Sequence, residues 1–274
     1  CEKMHPGDIH LSFPSVGATE NIILASVRLK GETTISNAAK EPEIVDLANF
    51  LNSCGAKISG AGEVTIVIDG VKMLHGTEYS VQPDRIAAAT YLCAAAATGG
   101  RVKINNVVSS HLLPVLQYYS NAGCKMIIGE SIIELTAPKK LTPVGTIKTR
   151  EYPGFPTDAQ PLFLAMSSVA KGTSVFEENI FNSRYRYVDG LNKLGANISV
   201  HDSVAVVKGK DSLYGAKVDV TDLRGGAALI IGGLCARGKT VVTDSGHVSR
   251  GYEKISENLS NLGAEITRYR YERK

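Results

Sequence analysis

Hydrophobic positions along the chain fall into two kinds of helical pattern, and the two kinds alternate. Four stretches are apolar almost all round and stop at glycine: Thr19 to Gly31, Asp84 to Gly100, Asp158 to Gly172 and Leu223 to Gly238. Few charges lie within them, so each is predicted to be a helix buried on every side. After each glycine comes a short β-prone run, Thr33-Thr34-Ile35, Val102-Lys103-Ile104, Ser174-Val175-Phe176 and Thr240-Val241-Val242. A second helical stretch follows, polar on one face, as in Glu43 to Ser53 or Arg186 to Leu194. Its one-sided pattern predicts an outer helix with its apolar face on the sheets.

A second glycine then opens another strand, at Gly55, Gly123, Gly195 and Gly263. In the first three cases a further strand follows a short turn: Val64 to Ile68, Ile132 to Leu135 and Val204 to Val207, which predicts β-hairpins. Both sets of glycines recur with a period of roughly 70 residues, too long for a solenoid repeat. Each unit is therefore a small α/β module of two helices and about four strands. The fourth unit reaches Lys274 without a second hairpin strand, and Arg268-Tyr269-Arg270-Tyr271 reads as a final strand. The chain opens with Cys1 rather than Met, so a processed chain or a piece of a longer one is expected, with an N-terminal segment donating the partner strand.

Composition narrows the function classes. With 274 residues, 43% hydrophobic and 21% charged, the chain is of globular type and long enough for one large or two medium domains. A net charge of +3 argues against a dedicated nucleic-acid binder and leaves anionic small molecules open. The apolar segments Ile86 to Ala97 and Ala227 to Ala236 are too short to span a bilayer. Five scattered cysteines without a Cys-x-x-Cys pair, and six histidines without ligand spacing, point to a reducing cytosol and to no metal.

Candidate chemistry gathers ahead of the buried helices. In Gly154-Phe155-Pro156-Thr157-Asp158-Ala159-Gln160, Pro156 fixes an extended entry, and Thr157 or Asp158 is placed to accept the first free N–H groups of a helix. Asp84 and Asp222 hold sister positions, so a repeated capping device is the plain reading of all three. Helix N-termini carry partial positive charge and free N–H donors, which together bind phosphate or carboxylate groups. Ser15-Val16-Gly17 joins a hydroxyl to a backbone without Cβ just ahead of a helix, which suits a diphosphate. Arg184, Arg224 and Arg250 lie in or beside turn-like segments. Guanidinium groups there bind anions bidentately, though a lone arginine is more often a solvated surface group.

Four motifs in order, Phe13 to Asn21, Asn37 to Leu47, Gly154 to Gln160 and Arg250-Gly251-Tyr252-Glu253, resemble the UDP-N-acetylglucosamine 1-carboxyvinyltransferase family of enolpyruvyl transferases. The resemblance implies βαβαββ units about a pseudo-threefold axis, the inside-out α/β barrel of these proteins. On that scheme residues 1–82 are the last unit of a partial first domain, and 83–274 are a nearly complete second domain of three units. It implies transfer of the enolpyruvyl group of phosphoenolpyruvate to the 3-hydroxyl of UDP-N-acetylglucosamine, the step that opens peptidoglycan precursor synthesis. No metal or organic cofactor is implied.

By the same resemblance Pro14, Ser15 and Val16, with Phe13 and Gly17 adjoining, line the nucleotide-sugar site. Asp158 is the proposed general base, Ile180 a nucleotide-sugar contact, and Arg184, Arg224 and Asp222 belong to the cleft. Arg250 meets the phosphate of phosphoenolpyruvate. The family's reactive-cysteine loop and its Lys-Asn pair have no match in this sequence, so the chain alone is expected to be inactive. Alternatives are the sister chemistry on shikimate 3-phosphate, against which the Asn37 to Leu47 and Ser15-Val16-Gly17 motifs argue, or a non-catalytic sugar-nucleotide-binding remnant.

Overall fold

A computed structural model describes residues 4–269 as two compact units. One runs to Pro83 and also includes Glu151–Gly154; the other comprises Asp84–Arg150 and the chain from Phe155 onward.

The first unit contains strand β1 (Asp8–His10), helix α1 (Val16–Ser26), β2 (Glu32–Ser36), helix α2 (Pro42–Ser53), β3 (Ile58–Ser59) and β4 (Thr65–Asp69). Its sheet has the order β1-β2-β4-β3, with β1 parallel to β2 and the other pairs antiparallel. Alternation along the strands decides the inner face: Thr33 and Ile35 of β2 stand opposite Ile68 and Ile66 of β4, and all four are buried. Ile23, Ile44, Ala48 and Leu51 from the two helices complete this core.

The second unit repeats the plan three times. Helix α3 (Arg85–Ala97), β5 (Arg101–Asn105), helix α4 (Ser109–Asn121), β6 (Lys125–Ile128) and β7 (Ile132–Thr136) form its first module, with sheet order β5-β7-β6. Strand β8 (Thr146–Lys148), helix α5 (Gln160–Ser167), β9 (Thr173–Glu177), a 3-10 turn at Arg184–Tyr187, helix α6 (Val188–Lys193), β10 (Asn197–His201) and β11 (Val204–Lys208) form the next. Its sheet, β10-β11-β9-β8, has the connectivity of the first unit's sheet. In the last module β12 (Leu213–Tyr214) and β13 (Lys217–Asp219) pair in parallel with β14 (Ala236–Arg237) and β15 (Val241–Thr243), around helix α7 (Leu223–Leu234). A 3-10 turn at Val248–Arg250 and helix α8 (Ile255–Asn261) follow.

In the second unit α3, α5 and α7 form the interior. Helix α5 packs against both α3 and α7, which also touch each other, and all eight residues of α5 are buried. The predicted all-round burial holds for α5 but fails for α1, where Thr19, Ile23 and Ser26 are buried and Leu24 is exposed. Only one face of α1 meets the core of its own unit, which among the described residues has no sister helices of the α3–α5–α7 kind.

The predicted glycine landmarks are real, with shifts in detail. Gly55, Gly123, Gly195 and Gly263 all have φ between 88° and 97°, the left-handed residue that ends an outer helix and releases the next strand. In the first module of the second unit Gly99, not Gly100, takes positive φ. Helix α5 ends at Ser167, ahead of the expected stop at Lys171-Gly172, and α1 starts at Val16 because Ser15 caps it. The expected strand at Gly263 to Ile266 is absent among the described residues, since no strand there supplies hydrogen-bond partners. Of Arg268-Tyr269-Arg270-Tyr271, the first two form no strand and the last two lie outside the described residues, as does Cys1.

Candidate functional site

In the second unit the extended segment Phe155-Pro156 leads into a turn at Thr157–Ala159, and α5 begins at Gln160. Neither Thr157 nor Asp158 caps that helix. Ala159 occupies the cap position in a helical conformation without a side-chain bond. Asp158 is thereby turned elsewhere: its Oδ1 accepts from Arg184 Nη2 at 2.7 Å and its Oδ2 from Arg224 Nε at 3.1 Å. Arg184 also donates to the carbonyl of Thr157 at 3.3 Å. These charge-assisted bonds join residues far apart in sequence, so Asp158 is a node between modules.

The two guanidiniums are largely removed from solvent, at 15% and 12% side-chain exposure, whereas Asp158 is 39% exposed. Arg184 lies over the Phe181 ring, 5.5 Å from its centroid, and Arg224 over Tyr252 at 5.4 Å. Burial works against the charge of Arg224, but Tyr252 and Asp158 more than offset it and hold its pKa above the ordinary arginine value. Tyr252 is anchored in turn by a 2.7 Å bond to Thr90 of α3. Arg184 Nε and Arg224 Nη1 have no hydrogen-bond partner, leaving each cation one buried donor unengaged. The arrangement is an acid–base group flanked by two fixed positive charges, a constellation for drawing a proton from a hydroxyl beside an anion.

The other expected site residues divide. Asp222 is a cap: it accepts from Gly225 N at 2.9 Å and from Thr221 Oγ1 at 3.2 Å, as Asp84 accepts from Ile86 N and Ala87 N. Ile180 is half-buried four residues before Arg184, its N–H bonded to Glu178. Arg250 ends the 3-10 turn at Val248–Arg250, is exposed, and takes no part in the Asp158 ion pairs. The neighbouring Gly251 packs against Leu223 and Arg224.

In the first unit Phe13 is exposed, Pro14 leads in, and Ser15 caps α1 by accepting from Ala18 N at 3.3 Å. Val16 and Gly17 are therefore its first turn rather than a loop ahead of it, and a Cβ at Gly17 would meet nothing. Glu178, Thr157 and Tyr252 were not singled out as site residues in the sequence. One signal was present for Glu178: the sister positions after β2 and β5 hold Asn37 and Asn106, so a glutamate departs from the repeat.

No group of His, Cys, Asp and Glu among the described residues is disposed to hold a metal. Cys93 and Cys124 are buried, and burial pushes their thiols up, Cys124 to about 11 and Cys93 further; Cys235 rises to about 12 for the same reason. None is a ready thiolate.

Buried helices packed against sheets, in modules repeated along the chain, make this an α/β protein. The crystal structure of the enolpyruvyl transferase NikO from Streptomyces tendae superposes with a TM-score of 0.86 at 26% identity, covering 97% of this chain and 66% of that one. An EPSP synthase from Acinetobacter baumannii shares the fold, with a TM-score of 0.72 at 20% identity over 98% of this chain and 64% of that one. The chain belongs to the EPSP synthase (3-phosphoshikimate 1-carboxyvinyltransferase) family, whose model matches residues 2–259.

Within that family it is similar to UDP-N-acetylglucosamine 1-carboxyvinyltransferases. One from Finegoldia magna is 51% identical over 97% of this chain and 63% of the relative, and one from Caldanaerobacter subterraneus is 50% identical over 97% and 64%. The chain thus spans less than two thirds of the length of these relatives. No described helix is long and apolar enough to cross a membrane.

Proposed function

We propose that this chain takes part in transfer of the enolpyruvyl group of phosphoenolpyruvate to the 3-hydroxyl of UDP-N-acetylglucosamine, with release of phosphate. The observation that carries the reading is Asp158 held between Arg184 and Arg224, each guanidinium keeping an unengaged N–H. Names borne by relatives half identical to the chain support the choice of acceptor. The reading sets the protein in the cytoplasm, at the start of peptidoglycan precursor synthesis.

In this scheme an anionic substrate competes with Asp158 for the two arginines. The carboxylate so released takes the proton of the sugar hydroxyl as its oxygen bonds to C2 of the enolpyruvyl group, while the fixed cations offset the charge on the phosphate. Arg250, exposed at its turn, is the further phosphate contact, and Ile180 lines the sugar nucleotide. Asp222 supports the geometry by capping α7. A separate acid protonates the methylene carbon to a methyl group. The C2–O bond to phosphate then breaks as a base takes one proton back from that methyl, restoring the double bond and releasing phosphate. The high thiol pKa values of Cys93, Cys124 and Cys235 argue against these three as the acid.

Titration calorimetry with UDP-N-acetylglucosamine and with shikimate 3-phosphate, followed by a phosphate-release assay with phosphoenolpyruvate, tests the reading. Binding of the first acceptor and not the second is expected, without turnover by this chain alone. Preference for shikimate 3-phosphate, or binding of neither, rejects it. Turnover on both substrates would reject only the expected inactivity.

A further inference from the structure

Glu178 directly follows β9, is only 4% exposed, and has no part in the chemistry above. Its Oε1 accepts three hydrogen bonds: from Thr157 Oγ1 at 3.0 Å, from the N–H of Ile180 at 3.0 Å and from the N–H of Phe181 at 3.1 Å. The first donor belongs to the turn that carries Asp158. The other two open the segment that leads to Arg184. Arg184 closes the circuit by donating to Thr157 O and Asp158 Oδ1 and by lying over Phe181. Two segments distant in sequence are thus joined at one oxygen on one side and at an ion pair on the other. The second oxygen, Oε2, is buried without a partner. A buried carboxylate bonded through one oxygen adds little to stability. The geometry it imposes is the better account of it.

We propose that Glu178 is a positioning residue: through Oε1 it holds the Thr157–Asp158 turn against the Ile180–Arg184 segment and so sets where the Asp158 carboxylate meets Arg184. Its functional meaning rests on the reading of Asp158 and Arg184 given above, whereas its geometric content can be tested without that reading.

The test compares Glu178→Ala, Glu178→Gln and Thr157→Val in this chain. Glu178→Gln keeps a carbonyl oxygen able to accept all three bonds. Thr157→Val removes only the link to the Asp158 turn. Three readouts are taken: nitrogen NMR of the Arg184 guanidinium, whose slowed rotation reports its bond to Asp158; hydrogen exchange at the Ile180 and Phe181 amides; and the Kd for UDP-N-acetylglucosamine. For Glu178→Ala the expectation is loss of the slow Arg184 signal, amide exchange faster by about 100-fold, and a Kd weaker by about tenfold. Glu178→Gln should stay within about threefold of the parent in all three, and Thr157→Val should loosen Arg184 while sparing the two amides. An unchanged Arg184 signal in Glu178→Ala overturns the proposal, as does Glu178→Gln behaving like Glu178→Ala. Should Glu178→Ala fail to fold, an unchanged Arg184 signal in Thr157→Val overturns it. If the parent does not bind the sugar nucleotide, the proposed function fails and the NMR and exchange results still decide the positioning role.

Discussion

Three aspartates precede the buried helices of the second unit, and they do two different jobs. Asp84 and Asp222 each satisfy N–H groups of a first helical turn. Asp158 satisfies two guanidiniums instead, because the turn at Thr157–Ala159 places it one residue too early to cap. Asp84→Ala should therefore lower stability by about 1 kcal/mol, the ordinary worth of a cap. Asp158→Ala strands two mostly buried cations, and with Asp158 itself partly solvated the loss should be about 1–3 kcal/mol. Only the second substitution should also alter affinity for the sugar nucleotide. Urea unfolding beside calorimetry checks both; equal effects of the two on binding would count against the distinction. A capping aspartate was legible in the sequence, but which of the three would leave its helix was not, since that depends on arginines from two other segments. Glu178 departs visibly from the asparagines of the repeat, but its role was hidden for the same reason: its donors converge only in three dimensions.

Buried thiols give the same residue scale a pH signature. The folded-state pKa of Cys124 is raised by burial from 9.0 to about 11, so the folded chain holds this proton more tightly than the unfolded one. That contribution to stability is complete below about pH 9 and is lost as pH rises from about 9 to 11, at up to about 1.4 kcal/mol per pH unit. Unfolding free energies measured under reducing conditions at pH 8, 9 and 10 should fall accordingly, and Cys124→Ser should shallow the slope. A stability that stays level to pH 10 would show that the thiol is not protected as described.

At the scale of elements, α7 shows how a helix can depend on residues that disfavour helices. Gly225, Gly226, Gly232 and Gly233 lie within it, and each would ordinarily weaken it by up to about 1 kcal/mol relative to alanine. Packing reverses the sign. A Cβ on Gly226 would stand 2.5 Å from Val248 Cγ2 and 2.8 Å from Val220 Cγ1, both buried and β-branched, hence stiff, side chains. Gly226→Ala should thus destabilise the chain by about 1–3 kcal/mol, seen as a lower urea midpoint at unchanged slope. A rise in the midpoint would mean that the Val248 turn yields.

Element types and their repetition were legible because two glycine markers and the strand alternation keep one period. Hairpins fell where Ile58–Ile68, Lys125–Thr136 and Asn197–Lys208 pair. Element ends were less legible. Helix α5 stops at Ser167 although the apolar run continues to Ala170, because burial continues through the following turn and does not itself require a helix.

For the whole molecule, the two units should differ in how firmly they are held. Helix α5 is enclosed on all sides by α3, α7 and strand β9, so exposing its amides requires opening most of the second unit's core. The first unit has a smaller core, drawn from one face of α1, one face of α2 and the inner side of a single sheet. The amides of Ile66 and Ile68, both fully buried, should exchange once that small core opens. Native-state hydrogen exchange should then give two plateaus, with Leu162 to Ala165 more protected than Ile66 and Ile68 by at least about 2 kcal/mol. Mild proteolysis should cut first within residues 11–74. The contrast follows from burial alone: a helix with eight of eight residues buried opens only with its surroundings, whereas one with Leu24 in solvent is already open on one side. A single plateau across both units would show that they unfold as one cooperative body, and that the small core draws its stability from outside itself.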